Sequence, residues 1–286
     1  NIGGEGGGVY LKYNAILNLN DGEISHNQST FVDFNGNVFF PGGGIHIDSG
    51  LANLNGGQII YNSSYRGAGV MVRAGEAIQN GTLISDNIAT YGGGVYVAEQ
   101  QAIFTQLSGN IQNNQATGID YGGGGLYIFT GVANLFGGQV TNNVSQNDGG
   151  GMEVRFGHLN LSGGTITDNE AMNRGGGIFN SGGHITVTNG IIQNNQANIG
   201  GGIATEVDED GVSQNTISNS AILSNTAANE NGGAINNKGN LILTNVTIHG
   251  NDADRGAGIY NSESDFDFWG IDWKNKTLNP SQLATS

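Results

Sequence analysis

The sequence predicts an all-β fold: a single-domain right-handed parallel β-helix, or solenoid, of about ten coils, each with roughly 25 residues and three short strands. Two motifs recurring in phase carry that expectation. A glycine run followed by an apolar residue ends at Val9, Ile45, Val70, Val95, Leu126, Met152, Ile178, Ile203, Ile235 and Ile259, in steps of 24 to 36 residues. An asparagine stands three residues after an Ile or Val at Asn27, Asn62, Asn87, Asn114, Asn143, Asn169, Asn195, Asn225 and Asn251. A third observation removes the alternatives, because no segment carries an amphipathic period of helical length. A solenoid core grows by adding coils, so 286 residues need not split into two cores. The expected boundaries are 1–262 for the repeats and 263–286 for a C-terminal cap and tail.

The coil from Gly175 to Asn195 serves as the pattern for the rest. Gly175-Gly176-Gly177 makes a corner where coils approach closely, with positive φ expected at Gly176. Ile178-Phe179-Asn180 is a first strand, and Ser181-Gly182-Gly183 turns. Ile185 to Thr188 is a second strand with Ile185 and Val187 on one face. Asn189-Gly190 turns again. Ile191 to Asn195 is a third strand with its corner.

Stacking the coils predicts the interior. The apolar residue after the glycines forms one inward row. Two residues on, the row runs Leu11, Ile47, Val72, Val97, Ile128, Val154, then Asn180, Thr205, Asn237 and Asn261, turning from aliphatic to polar. Inward amides on stacked parallel strands satisfy one another coil to coil. The nine recurring asparagines are expected to form a ladder at one corner, bonding backbone groups that strand pairing leaves free and adopting left-handed geometry.

Departures from the repeat are the candidate sites. An insertion from Gln28 to Pro41 carries Phe31 and Phe34, either to fold back over the first coil or to contact a partner. The stretch from Gln115 to Tyr121 reads as a small polar bulge. Around Glu206-Val207-Asp208-Glu209-Asp210-Gly211, alternating carboxylates with a glycine turn make Asp208 and Asp210 candidate Ca²⁺ ligands, against the plainer reading of a solvated hairpin tip. The second residue after the glycines points outward by strand alternation and includes Tyr96, Tyr127 and Phe179. Stacked outward aromatics suit a sugar platform or a lateral interface, or simply pack across an exposed sheet. Phe266 to Trp273 breaks the pattern, and Phe268 and Trp269 read as a cover for the last coil.

A net charge of −15 disfavours nucleic acid and anionic lipid as partners. There is no cysteine, hence no disulfide, and no run of 18 apolar residues to insert in a membrane. Chemistry is thinly supplied. Asp86 and Asp168 occupy equivalent positions but lie three coils apart, roughly 14 Å at the stacking distance, too far for a catalytic carboxylate pair. The five histidines occupy unrelated coil positions. An enzyme acting on polysaccharide is the minority expectation, and no cofactor is expected beyond Ca²⁺.

Gly232-Gly233-Ala234-Ile235, with GGG[IV] in most other coils and IxxN in place of FxxN, resembles the GGA[ILV]/FxxN repeat of polymorphic outer membrane proteins. That resemblance covers nearly the whole chain. It implies a β-helical passenger of adhesin type, without the membrane barrel, whose alternating C-terminal strands are missing here. The expected role is an extracellular or cell-surface binding module or rigid stalk, its partner a cell-surface or glycan receptor. The alternative is a filament subunit whose partners are other copies of itself, stacked end to end on an open first coil.

Overall fold

The computed structural model describes residues 1–4, 6–30, 42–207 and 213–262, together with the strand backbone of Phe266–Trp269. It is a right-handed parallel β-helix, and the described residues contain no helix. Three sheets run along the axis. A ten-stranded sheet, here the glycine sheet, extends from Val9–Leu11 to Ile259–Asn261. A nine-stranded ladder sheet extends from Ile2–Gly3 to Thr226–Ala227. The third, wide sheet has two strand rows per coil, fused into single strands at Gly75–Ser85 and Ala102–Gln112.

Pairing is parallel and follows the repeat. Ile178 stands against Ile203, Ile203 against Ile235 and Ile235 against Ile259. Phe266–Trp269 pairs with Leu241–Thr244, so the wide sheet gains one strand beyond residue 262. The side chains of Phe268 and Trp269 lie outside the described residues.

Most coils carry four segments where three were expected, and the two coils with a fused strand carry three. In the pattern coil these are Ile178–Ser181, His184–Thr188, Ile191–Gln193 and Gln196–Ala197. The corner at the ladder asparagine splits the expected third strand. The left-handed residue there is also one position earlier than expected: His26, Tyr61, Asp86, Asn113, Asn142, Asp168, Asn194, Ser224 and Gly250 have positive φ, and the ladder asparagines do not. The turn rotates each asparagine side chain inward, where its bonding requirement is met.

Those bonds run without a break. Asn169 Nδ2 donates to Asn195 Oδ1 at 2.9 Å and to the Val140 carbonyl at 3.0 Å. Its Oδ1 accepts from the backbone N–H and the Nδ2 of Asn143, both at 3.0 Å. The same four-bond pattern repeats through the interior rungs. Asn1, which lies outside the recurring motif, adds a tenth rung by donating from Nδ2 to Asn27 Oδ1 at 2.8 Å.

The glycine corner also differs in detail. Gly175 has φ +64, whereas Gly176 does not have positive φ. Gly176 is required for space: a Cβ there would sit 2.5 Å from the carbonyl oxygens of Gln196, at the end of its own coil, and of Gly201 on the next. The constraint is close stacking of coils, not backbone handedness.

The inward row two residues after the glycines is aliphatic through Val154, and Phe104 is the largest fully buried side chain among the described residues. From Asn180 the row is polar and hydrogen-bonded, along the row from Thr205 to Asn261 as expected but across to the wide sheet at Asn180. Asn180 Nδ2 reaches Asn215 Oδ1 at 2.7 Å and the Gly183 carbonyl at 3.0 Å, while its Oδ1 accepts from Gly183 N–H. Thr205 Oγ1 donates to Asn237 Oδ1 at 2.7 Å, and Asn237 Nδ2 to Asn261 Oδ1 at 2.8 Å. A second polar pair, Gln79 and Gln106, is buried among aliphatics, with each Oε1 lacking a protein partner.

Candidate functional site

The row expected to face solvent is covered. Met71, Tyr96, Tyr127, Glu153, Phe179 and Ala204 follow one another in register on the outside of the glycine sheet, and each is 2% exposed or less. Tyr96, Tyr127 and Phe179 therefore offer no exposed aromatic platform. What covers them is the chain entering the glycine corner. Arg66, Tyr91, Asp148, Arg174, Ile199 and Asn231 each stand directly before a glycine run. The corner swings them over the adjoining sheet and makes a second, smaller packed layer alongside the solenoid core.

In the first coils this layer is aromatic. The Tyr96 and Tyr127 rings stack at 5.0 Å, and Tyr91 packs on Tyr65, Tyr121 and Tyr127 at 5.3, 5.6 and 6.2 Å. The Arg155 guanidinium lies 3.8 Å from the Tyr121 ring centre, a close cation–π contact. Tyr121 thus belongs to the cover, so the stretch from Gln115 to Tyr121 is more than a polar bulge. Burial pushes the Tyr96 hydroxyl up to about 12 and raises Tyr127 further.

Glu153 breaks the apolar run. Its carboxylate is buried and accepts the Gly122 N–H at 2.6 Å. Burial pushes its pKa up to about 8, outweighing that bond and the cations nearby. Five residues before it, buried Asp148 takes two charge-assisted bonds from Arg174 of the following coil, Oδ2 to Nη2 at 2.7 Å and Oδ1 to Nε at 3.0 Å. Burial still leaves Asp148 raised above the usual carboxylate range. Arg174 covers the Phe179 ring at 4.4 Å and pairs with Glu206, which Lys238 also meets at 3.2 Å. Burial raises Glu206, but Arg174 and Lys238 outweigh it and hold the carboxyl below its ordinary value.

Beyond Phe179 the row loses bulk at Ala204 and Asn236, and the groove opens into a cavity of about 170 Å³. Arg174, Glu206, Asn231, Asn236, Lys238 and Tyr260 are among its lining residues. Strand alternation alone did not predict this groove. The signal available was the residue before each glycine run, where Tyr, Arg and Asp recur.

The remaining candidates divide plainly. Asn27, Asn62, Asn87, Asn114, Asn143, Asn169, Asn195, Asn225 and Asn251 are committed to one another and to backbone. Phe31, Phe34, Asp208 and Asp210 lie outside the described residues. Among the described residues no three His, Cys, Asp or Glu side chains converge as a metal site requires, and no helix is long and apolar enough to cross a membrane. Asp86 and Asp168 accept bonds from the neighbouring Ser85 and Thr167 hydroxyls at separate corners. Comparison with family models, curated proteins and solved structures returns no match.

Proposed function

We propose that this chain is a rigid rod of an extracellular or cell-surface protein, acting as a stalk or adhesin-like binding module. The supporting observation is the unbroken axial ladder from Asn1 to Asn251, in which every coil is bonded to the next through buried amides. Such an array resists bending at any one coil, because a local break orphans several buried polar groups together. The likeness of GGG[IV]/IxxN to the repeat of polymorphic outer membrane proteins points the same way.

One observation favours a second reading, an end-to-end filament. In the first coil, Ile2–Gly3 and Val9–Leu11 pair on one side only among the described residues, and Val9, Leu17, Leu19 and Ile24 are only partly buried. Such an edge is a template for another coil. Electron microscopy at rising concentration, with and without Ca²⁺, separates the two. Dispersed rods on the order of 45 Å long, from ten strands at the 4.8 Å spacing, support the stalk reading; filaments at high concentration refute it in favour of the second.

A further inference from the structure

We infer that the cavity at Ala204 and Asn236 is a binding subsite for one neutral sugar ring of a glycan. This rests on the binding-module reading. The argument starts from what occupies the groove upstream. There the protein's own rings fill it: Tyr127 lies under Tyr91 and Tyr121, and Tyr121 lies under Arg155. At Phe179 a ring again lies under a guanidinium, that of Arg174. In the next two coils the register positions hold Ala204 and Asn236, and the ring is missing while the polar rim persists.

The vacated space, about 170 Å³, falls below the range of about 300–1,000 Å³ that holds drug-sized ligands, and admits a single six-membered ring. The lining selects its chemistry. Arg174 and Lys238 balance Glu206 and Glu230, so the cavity carries no net formal charge. Arg174 is already held by Asp148 and Glu206, and the chain as a whole is acidic, so an anion gains little here. Asn236 supplies the pointer to a polar ligand. It is 5% exposed, and its Nδ2 reaches the Asn231 carbonyl only at 3.5 Å, the limit of hydrogen bonding. A buried amide this poorly bonded gains from a ligand hydroxyl, which donates once and accepts twice. Ile199 and Tyr260 add apolar wall for the C–H face of a ring.

The test is saturation-transfer NMR on the full chain with glucose, galactose, mannose and N-acetylglucosamine, against glucuronate and glycine as charged controls. At least one neutral sugar is expected to bind in the millimolar range, as suits so small a site. Glucuronate is expected to bind at least tenfold more weakly. Ala204→Phe, which restores the ring of the preceding coil, should abolish binding at an unchanged melting temperature. Asn236→Ala should weaken it about tenfold and serves as the arbiter should the larger substitution disturb folding. Failure of all four sugars, or undiminished binding in Asn236→Ala, overturns the assignment. Rods that remain dispersed in the microscope while no sugar binds would leave the stalk reading standing and remove only the ligand.

Discussion

The coils up to Val154 and the coils from Asn180 onward share one backbone and solve stability differently. In the first part the inward row is Ile47, Val72, Val97, Ile128 and Val154, and the outer groove is packed with tyrosines. In the second the same inward row is Asn180, Thr205 and Asn237, and the groove carries ion pairs and a cavity. Both changes fall at the same place along the axis. The first part is held by apolar burial, which is non-directional and tolerant of small changes. The second keeps an aliphatic core at Ile178, Ile203, Ile217 and Ile235 but ties this one row with hydrogen bonds, in which losing one partner strands the other. The difference teaches that a solenoid repeat specifies geometry while leaving each coil free to choose its interior.

The comparison can be broken most severely where both parts depend on the same device. Gly176→Val drives a branched side chain against the carbonyls of Gln196 and Gly201 and should destabilise by several kcal/mol or prevent folding, read by circular dichroism. A normally folded protein would show that adjacent coils can separate. Asn169→Leu removes an amide with four bonds and should cost about 3 kcal/mol or more in urea melts. A loss below about 1 kcal/mol would mean that the ladder is ornament to stability.

Reciprocal swaps sharpen the contrast. Val154→Asn puts an amide among aliphatics and should cost about 2–3 kcal/mol. Asn180→Val, which extends the aliphatic row but strands Asn215 and Gly183, should cost about 1–2 kcal/mol. Equal costs would show that the two interiors are not distinct environments.

A graded effect is set by pH. The folded Glu153 carboxyl binds its proton up to about 8, against about 4.5 in the unfolded chain. Folded protein therefore holds the extra proton between those values, and stability falls as pH rises from about 4.5 to 8. Glu153→Gln keeps an acceptor for the Gly122 N–H and lacks this slope, so its advantage over the parent should grow across that window. A difference independent of pH would show that Glu153 is ionised in the fold.

The period, the ladder and the switch at Asn180 were legible because each is written in residues close together on one coil and merely repeated. Tyr96 and Tyr127 were misread as outward and exposed because alternation reports direction, not cover. Their cover comes from Tyr91 and Tyr121, supplied by a different side of the coil. The bridge of Arg174 to Asp148 and Glu206 was hidden for the same reason, since its members join three successive coils. Asn1 was missed because the motif that marks the other nine is read from the residue three places before the asparagine. Gly176 was rightly judged indispensable for the wrong reason, because a clash with the next coil leaves no trace in local sequence.

One feature of the corner gives that edge of the rod a local polarity. At the glycine run, Gly175, Gly176, Gly177 and Ile178 all send their N–H groups to carbonyls of the following coil. The ladder amides agree, each presenting its oxygen to the coil before it and an N–H to the coil after. Elsewhere the direction alternates, and Ser63, Arg73 and Gln115 send their N–H groups to the preceding coil. The polarity therefore belongs to the corner and the ladder and does not sum over the cross-section. At that corner a further coil must offer carbonyls to N–H groups, so coils add there in one direction only.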